Sequence, residues 1–376
     1  MESKHILYIV SNVSKAIAFE WIADELSKKG FKISFLILGK SEETGFADYL
    51  KVSGIPYKSF SLGGKLSWPS LIYKLYNTIK TFSPDVVHTH LVEASLLGLL
   101  AAKLAGVRYR ISTRHHSTFH HQYHPRAVLY DKIINRLSTK IIAISPNVKR
   151  VLLEREKVDP SKVEMIPHGF DLEEFANVPN DRVELLRKKY HISEDAFVVG
   201  SIGRYFSLKG IQYLIKAFIK FKKEVPNAHL CLFNAHGPYK KELHELLKEL
   251  NQDEYTEVAF ENDLFAIYQL FDVYVHVPID PEIEAFGQTY VESLASSRAS
   301  IFTLSGIAHE FVIDGYNALV VPYQNADAIY QALNRLHKDN ELKSRLTSNA
   351  AASVKDYNLQ KFINRLEALY LQSDED

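Results

Sequence analysis

The 376-residue sequence predicts an α/β chain made of two doubly wound, Rossmann-like domains, each a parallel sheet covered by helices on both faces. Three observations predict it. Short β-branched runs alternate with amphipathic helical stretches through the first half; the alternation breaks over residues 166–180, where IPHGFDLEEFANVPN is rich in turn formers; and it restarts at Ala196. The length suits two domains of ordinary size.

In the first half the strand-like runs are HILYIVS from His5, KISFLIL from Lys32, DVVHTH from Asp85, YRIST from Tyr109 and KIIAIS from Lys140. Helical patterns lie between them, such as Ala16 to Lys29, closed by Gly30 as a left-handed stop, and Trp68 to Phe82. The second half gives AFVVGSIG at Ala196, HLCLFN at His229, DVYVHV at Asp272, SIFTL at Ser300 and ALVVP at Ala318. Two amphipathic stretches, Ala326 to His337 and Glu341 to Gln372, follow with no strand after them. These patterns place an N-terminal domain at 1–175, a linker at 176–195 and a second domain at 196–355. A C-terminal helix at 356–376 is free to pack back on the first domain.

The composition excludes disorder, with 46% hydrophobic and 24% charged residues. A single cysteine, Cys231, excludes an intramolecular disulfide and suits a reducing compartment, so a cytoplasmic protein is expected. The first residues, MESKHILYIVSNVSK, turn into a strand pattern and offer no leader cleavage site. The most apolar long segment, Leu91 to Val107, is interrupted by Glu93 and Lys103 and reads as a buried crossover helix, not a bilayer span.

The zero net charge hides an asymmetry. Residues 1–170 carry 24 Lys and Arg against 14 Asp and Glu, and the remainder carries 21 against 31. A basic first domain favours an anionic partner such as a phosphorylated or glycan acceptor or the inner face of a membrane, although a solvated surface gives the same count. A stripe of Trp68, Leu71, Ile72, Leu75 and Ile79 beside Lys65, Lys74 and Lys80 fits either a membrane-surface face or a buried helix with lysines at its edge. No nucleic-acid partner is expected.

Two strand-to-helix turns of the second half carry candidate chemistry, because ligands of open parallel sheets collect beyond the carboxyl ends of strands. In GSIGRYFSLKG, Gly203 lets backbone approach an anion, and Arg204 and Lys209 supply a planar fork and a mobile point charge. A plain surface turn has the same residues, and the loop is neither a dinucleotide fingerprint nor a P-loop. In PIDPEIEAFGQTYVESLASS, Glu284 stands just ahead of Phe286 and Gly287, and the helix expected to start there, running on through Gln288 and Thr289, carries Glu292 about two turns in. A carboxylate there could grip sugar hydroxyls; equally, Glu284 could be a helix-start carboxylate and Glu292 simply exposed.

These two segments bear a specific resemblance. EAFGQTYVE, with Glu284 and Glu292 eight apart, resembles the E-x7-E motif of the retaining family 4 glycosyltransferases of the GT-B fold, and GRYFSLKG resembles their G-R-x-x-x-x-K-G loop. DVVHTH at Asp85, SPNV at Ser145, IPHGFD at Ile166 and IDGYNALVVP at Ile313 add weaker matches. The resemblance implies two Rossmann-like domains facing each other across a cleft, with a nucleotide-diphosphate sugar as donor substrate, UDP favoured and GDP next. It puts Arg204 and Lys209 on the diphosphate, Glu292 on the ribose, and Glu284 with the backbone of Phe286, Gly287 and Gln288 on the sugar. Transfer with retention of configuration, no metal and no other cofactor is implied, to a glycan or lipid-linked acceptor in cell-surface polysaccharide or glycolipid synthesis.

RISTRHHS resembles the family's T-x-H-D turn, which implies that His115 points toward the sugar and that His116 replaces an aspartate. The histidines 115, 116, 120, 121 and 124 have spacings of four, yet no carboxylate or cysteine stands among them, so no metal site is expected. The terminal run Asp374, Glu375, Asp376 is a tail and not a D-x-D metal motif. Other departures are the glycine-free first loop SNVSKAIAF, the turn NAHGP at Asn234 where the family has G-x-G-P, and Glu261 in place of a glycine. Two other readings stay open at this level, a nucleotide-sugar epimerase on the same scaffold and a non-catalytic nucleotide-sugar-binding protein.

Overall fold

The computed structural model describes residues 3–13, 15–39 and 44–372, so the acidic tail lies outside the described residues. The chain divides into two compact units, Met1–Gly169 with Leu359–Asp376, and Phe170–Asn358. Each is built on one sheet, of seven and six strands, in which every paired strand runs parallel.

The first unit contains β1 (His5–Ser11), β2 (Lys32–Gly39), β3 (Tyr57–Ser61), β4 (Val86–His90), β5 (Tyr109–Arg114), β6 (Lys140–Ala143) and β7 (Val163–Met165), in the order β3-β2-β1-β4-β5-β6-β7. Strands β1 and β4 are buried along their whole length because helices cover both faces, which is why HILYIVS reads as a near-continuous apolar run. The edge strands β3 and β7 escape the sequence reading: YKSFS is half exposed and has no apolar run, and β7 is three residues long.

Leu7, Ile9, Leu36, Leu38 and Val87 pack with Leu71, Leu75 and Ile79 of the helix Trp68–Phe82 and with Ala94, Leu97 and Ala101 of the helix Val92–Leu104. The apolar stripe of the first of these helices is therefore core. Leu71, Leu75 and Ile79 are buried and Trp68 and Ile72 pack against them, leaving Tyr73, Lys74 and Lys80 outside. That stripe offers no face to a membrane.

The last helix, Leu359–Leu371, belongs to this first unit. Gly169 makes room for it: a Cβ there would lie 2.3 Å from Phe362 Cβ. Lys4 Nζ donates to Tyr370 O at 2.9 Å, and Lys29 pairs with Glu367 at 2.7 Å. Inside the fold the Tyr370 hydroxyl bonds the Tyr8 hydroxyl and His88 Nδ1, the latter at 2.6 Å, while His88 Nε2 reaches Thr113 Oγ1 at 2.8 Å. The single stretch expected from Glu341 to Gln372 is thus two helices, Asn340–Ser353 in the second unit and Leu359–Leu371 in the first.

The second unit contains β8 (Phe197–Ile202), β9 (Ala228–Phe233), β10 (Tyr255–Val258), β11 (Val273–His276), β12 (Ala299–Phe302) and β13 (Leu319–Val320), in the order β10-β9-β8-β11-β12-β13. The order reverses at β8, which lies between β9 and β11. Such a reversal opens a crevice at the carboxyl ends of the two strands that flank it.

The change of unit falls at Gly169, ahead of the expected boundary at 175, and residues 176–195 are not a free linker. They include the helix Asn180–Lys189, which is fastened to the second unit by Arg182 on Asp263 and Lys189 on Glu261 at 2.6 Å. Burial would raise the Glu261 carboxyl, but Lys189, Tyr190 and two backbone N–H groups bring it down to about 2. Glu261, which stands where the resembled family has glycine, therefore anchors a helix. The missing glycines of the other departures have a backbone answer: Asn12 and Asn234 take φ of 54° and 61°. Asparagine is the side-chain-bearing residue that tolerates this left-handed region best.

Replacing Tyr370 with Phe leaves the buried Tyr8 hydroxyl and His88 Nδ1 without their common partner. Tyr370→Phe is expected to destabilise the first unit by about 1–3 kcal/mol in urea unfolding. A change under about 0.5 kcal/mol, the scatter of ordinary surface substitutions, would show that packing alone docks the last helix.

Candidate active site

After β8 the chain runs through Gly203, Arg204 and the short helical turn Ser207–Lys209 to Gly210, where the helix Ile211–Glu224 begins. Gly210 has φ 75°, and a Cβ on it would lie 1.8 Å from Val277 O. The turn therefore presses against the exit of the neighbouring strand β11, a contact only glycine permits. That contact brings Lys209 to the segment following β11. A Cβ on Gly203 would meet only Ile211 Cδ1, at 3.9 Å, so the fold itself would accept a side chain there. Arg204 is exposed, lies over the Phe206 ring at 4.7 Å, and makes no ion pair among the described residues.

Lys209 Nζ donates to Glu284 Oε1 at 2.6 Å. The Glu284 side chain is 9% exposed and its amide donates to Ser305 Oγ at 3.2 Å. Burial by itself would push the Glu284 carboxyl up; Lys209 and His276 beside it reverse this and hold it well below the usual carboxylate range. Glu284 is thus an anion at neutral pH, facing a cation from the adjacent turn.

Gly287, with φ 89°, then starts the helix Gln288–Ala295. Phe286 is buried, its ring stacks on Phe170 at 6.1 Å, and its carbonyl accepts from Ile307 N at 3.0 Å. Gln288 is exposed and Thr289 is half-buried. Glu292 is buried and accepts a hydrogen bond from the Tyr268 hydroxyl at 2.5 Å, which excludes the exposed-glutamate reading. Burial pushes its carboxyl up to about 7, against the opposing pull of Tyr268. The carboxyls of the two glutamates in this nine-residue segment are therefore shifted in opposite directions by their surroundings.

Two residues the sequence reading passed over, His276 and Tyr274, stand among them beside the expected Thr289. His276 Nε2 lies 3.2 Å from Glu284 Oε1 but is not aligned for a hydrogen bond. The Tyr274 hydroxyl and Thr289 Oγ1 are buried beside one another and, among the described residues, neither is aligned for a hydrogen bond. Orphaned buried polar atoms cost about 1–3 kcal/mol each and mark places where a ligand can supply the partner. The signal for Tyr274 and His276 lay in the alternation of DVYVHV, whose second and fourth apolar-strand positions carry polar tips on one face.

In the first unit His115 follows β5 directly. Its Nε2 shares a hydrogen bond with His90 Nδ1 at 2.9 Å, and its ring stacks on His168 at 5.5 Å. Burial, and after it the neighbouring imidazoles, hold His115 and His90 well below the ordinary histidine value. His115 is a neutral imidazole that can donate or accept one hydrogen bond. His90, absent from the sequence-derived site, is its immediate support. The expected absence of carboxylates near the other histidines does not hold: the fold brings Asp131 to His116 and His120 at 3.0 and 2.8 Å, and Glu156 to His121 at 3.3 Å. Helix contacts across 11 to 35 residues are invisible to local spacing.

Residues 182–353 match the family model described as glycosyl transferases group 1, and residues 21–174 match that of Glycosyltransferase Family 4. The chain belongs to the family 4 glycosyltransferases. This glycosyltransferase is 25% identical to alpha-monoglucosyldiacylglycerol synthase of Acholeplasma laidlawii, over 98% of the chain and 89% of that relative. It is 23% identical to UDP-Gal:alpha-D-GlcNAc-diphosphoundecaprenol alpha-1,3-galactosyltransferase of Escherichia coli, over 80% and 78%. Among solved structures, Anabaena HepE in complex with UDP-glucose superposes with a TM-score of 0.82 at 21% identity, over 97% of this chain and 99% of that one. A glycosyltransferase from Rickettsia africae gives 0.80 at 21% identity over the whole of both chains. The fold of this glycosyltransferase is GT-B.

The state of Glu292 gives a pH prediction. Between its ordinary value of 4.5 and about 7 the folded chain holds a proton that the unfolded chain has lost, so stability falls as pH rises through that window. Glu292→Gln, which keeps an acceptor for Tyr268, should match wild type in urea unfolding at pH 4 and exceed it by about 3 kcal/mol at pH 8. Identical pH profiles for the two proteins would show that Glu292 does not ionise near neutrality.

Proposed function

We propose that this glycosyltransferase takes a sugar from a nucleotide diphosphate donor, a UDP-sugar in preference to a GDP-sugar, and transfers it with retention of configuration and without a metal ion. The observation that carries the reading is the meeting of Lys209 and Glu284 at 2.6 Å, from turns 75 residues apart, at the switch point of the second sheet. Arg204 and Lys209 bind the diphosphate, Glu292 takes the ribose hydroxyls, and Glu284 with the backbone of Gly287 and Gln288 takes sugar hydroxyls.

As the bond between the sugar and the diphosphate breaks, negative charge collects on the departing group, and fixed cations there stabilise the transition state more than the ground state. Lys209 is balanced by Glu284 in the protein alone. A diphosphate competes for its ammonium and frees the carboxylate to accept hydrogen bonds from the sugar. The orphaned Tyr274 hydroxyl, Thr289 Oγ1 and His276 Nε2 supply further polar partners beside these two groups. His115, neutral and supported by His90, orients a sugar or acceptor hydroxyl without carrying charge.

The donor preference is supported by HepE, solved with UDP-glucose. The acceptor reading, a glycan or lipid-linked acceptor in cell-surface polysaccharide or glycolipid synthesis, is supported by relatives whose names contain monoglucosyldiacylglycerol and GlcNAc-diphosphoundecaprenol. The positive balance of residues 1–170 fits an anionic acceptor and peripheral contact with the inner face of a membrane. Among the described residues no helix is long and apolar enough to cross a membrane.

With a UDP-sugar and a lipid-linked acceptor, Lys209→Ala and Glu284→Gln should each lower kcat by about 10²–10³-fold, the loss seen when one stabilising group is removed from a charge-developing site. Product NMR should show the donor's anomeric configuration, and initial rates should survive EDTA. Near-wild-type transfer by both variants would remove the site assignment, and an epimerised nucleotide sugar formed with no acceptor present would replace the reaction.

A further inference from the structure

A second polar cluster lies in the first unit. Arg114, at the end of β5, donates through Nη1 and Nη2 to the two carboxylate oxygens of Glu156, at 2.9 and 2.8 Å, and Nη2 also donates to Asn135 Oδ1 at 2.9 Å. Asn135 Nδ2 and His121 Nε2 complete the shell of Glu156. Beside this pair sits Asp131, fully buried on the helix Val128–Leu137. Its Oδ1 is 3.0 Å from His116 Nε2 and 3.6 Å from Arg114 Nη1, and its Oδ2 is 2.8 Å from His120 Nδ1.

The charges of this cluster do not balance. One guanidinium faces two buried carboxylates, and Glu156 already takes both arms of Arg114. A buried carboxylate without a full counter-charge is costly, and the nearest groups to Asp131 besides Arg114 are the two imidazole rings. A cation between His116, His120 and Asp131 corrects the deficit.

We propose that His116 Nε2, His120 Nδ1 and the Asp131 carboxylate bind a divalent first-row transition ion, zinc or a close neighbour, as a structural site. The three ligand atoms lie within 4.8 Å of one another. Bonds of about 2.0–2.2 Å in a tetrahedron set ligand atoms about 3.3 Å apart. His116 Nε2 now lies 3.0 Å from Oδ1 of Asp131 and His120 Nδ1 2.8 Å from Oδ2, so the ion takes one oxygen after a turn of the carboxylate, or both. Two imidazoles and a carboxylate are a donor set these ions favour. Both histidine side chains keep an edge to solvent, at 18% and 11% exposure, which gives the ion a path in and a water for the remaining position. Arg114 stays outside the ligand set, held by Glu156, and the ion would take over the His116 Nε2 that now lies 3.2 Å from Arg114 Nη1. The ion would fasten the turn after His115 to the helix Val128–Leu137, a role independent of the donor reading and compatible with transfer that survives EDTA.

The test uses the whole protein, stripped with a strong chelator and dialysed. Zn²⁺ titrated against a chromophoric competitor should bind with one equivalent at high affinity, Co²⁺ should give the visible bands of a low-coordinate site, and Zn²⁺ should raise the melting temperature. His120→Ala and Asp131→Asn should each weaken binding more than about 100-fold, since even outer-shell partners of a metal are worth 10–100-fold. If Asp131→Asn does not fold, His116→Gln, on the more exposed side, takes its place. No stoichiometric binding, or binding unchanged by these substitutions, overturns the site and leaves a hydrogen-bonded network that needs no ion.

Discussion

The second unit is organised by one contact, the ion pair between Lys209 and Glu284. A buried carboxylate is tolerable only with a counter-charge, and the counter-charge here comes from the neighbouring strand's turn. The pair exists because β8 and β11 are adjacent at the reversal of strand order, and because Gly210 lets one turn lean on the other. Breaking such a pair from one side leaves an uncompensated charge, so the two residues constrain each other and the two turns that carry them. Glu292, eight residues on, has no cation beside it among the described residues, and its carboxylate accepts from the Tyr268 hydroxyl. The same residue type is thus an anion in one place and predominantly a neutral acid below about pH 7 in the other.

The fold was legible because both sheets are parallel and covered on both faces, which writes each central strand as a run of apolar residues and each crossover as a period near 3.6. What escaped had weak local signals. Strands β3 and β7 are an edge and a three-residue fragment, and the helix Asn180–Lys189 is so polar that it resembles a linker. The stripe on Trp68–Phe82 fitted two environments equally until the core it packs on was known.

Of the candidate site, the residues on the two loops were legible through their motifs, since each motif is local. Their partners were not. His276 and Tyr274 belong to a strand that reads simply as core, and His90 supports His115 across the 25 residues that separate neighbouring strands. Asp131 and Glu156 reach the histidine cluster from helical segments no spacing rule connects to it. Sequence distance hides the carboxylate half of a cluster whose imidazole half it displays.

The left-handed asparagines at positions 12 and 234 bear on how kinship is measured in chains of this kind. A turn that demands positive φ selects for a dihedral angle, and the letter that satisfies it can change while the bend does not. Scoring such positions by residue identity counts a loss where the backbone path is preserved. Divergent members of a fold can then look more distant from one another than their geometry makes them.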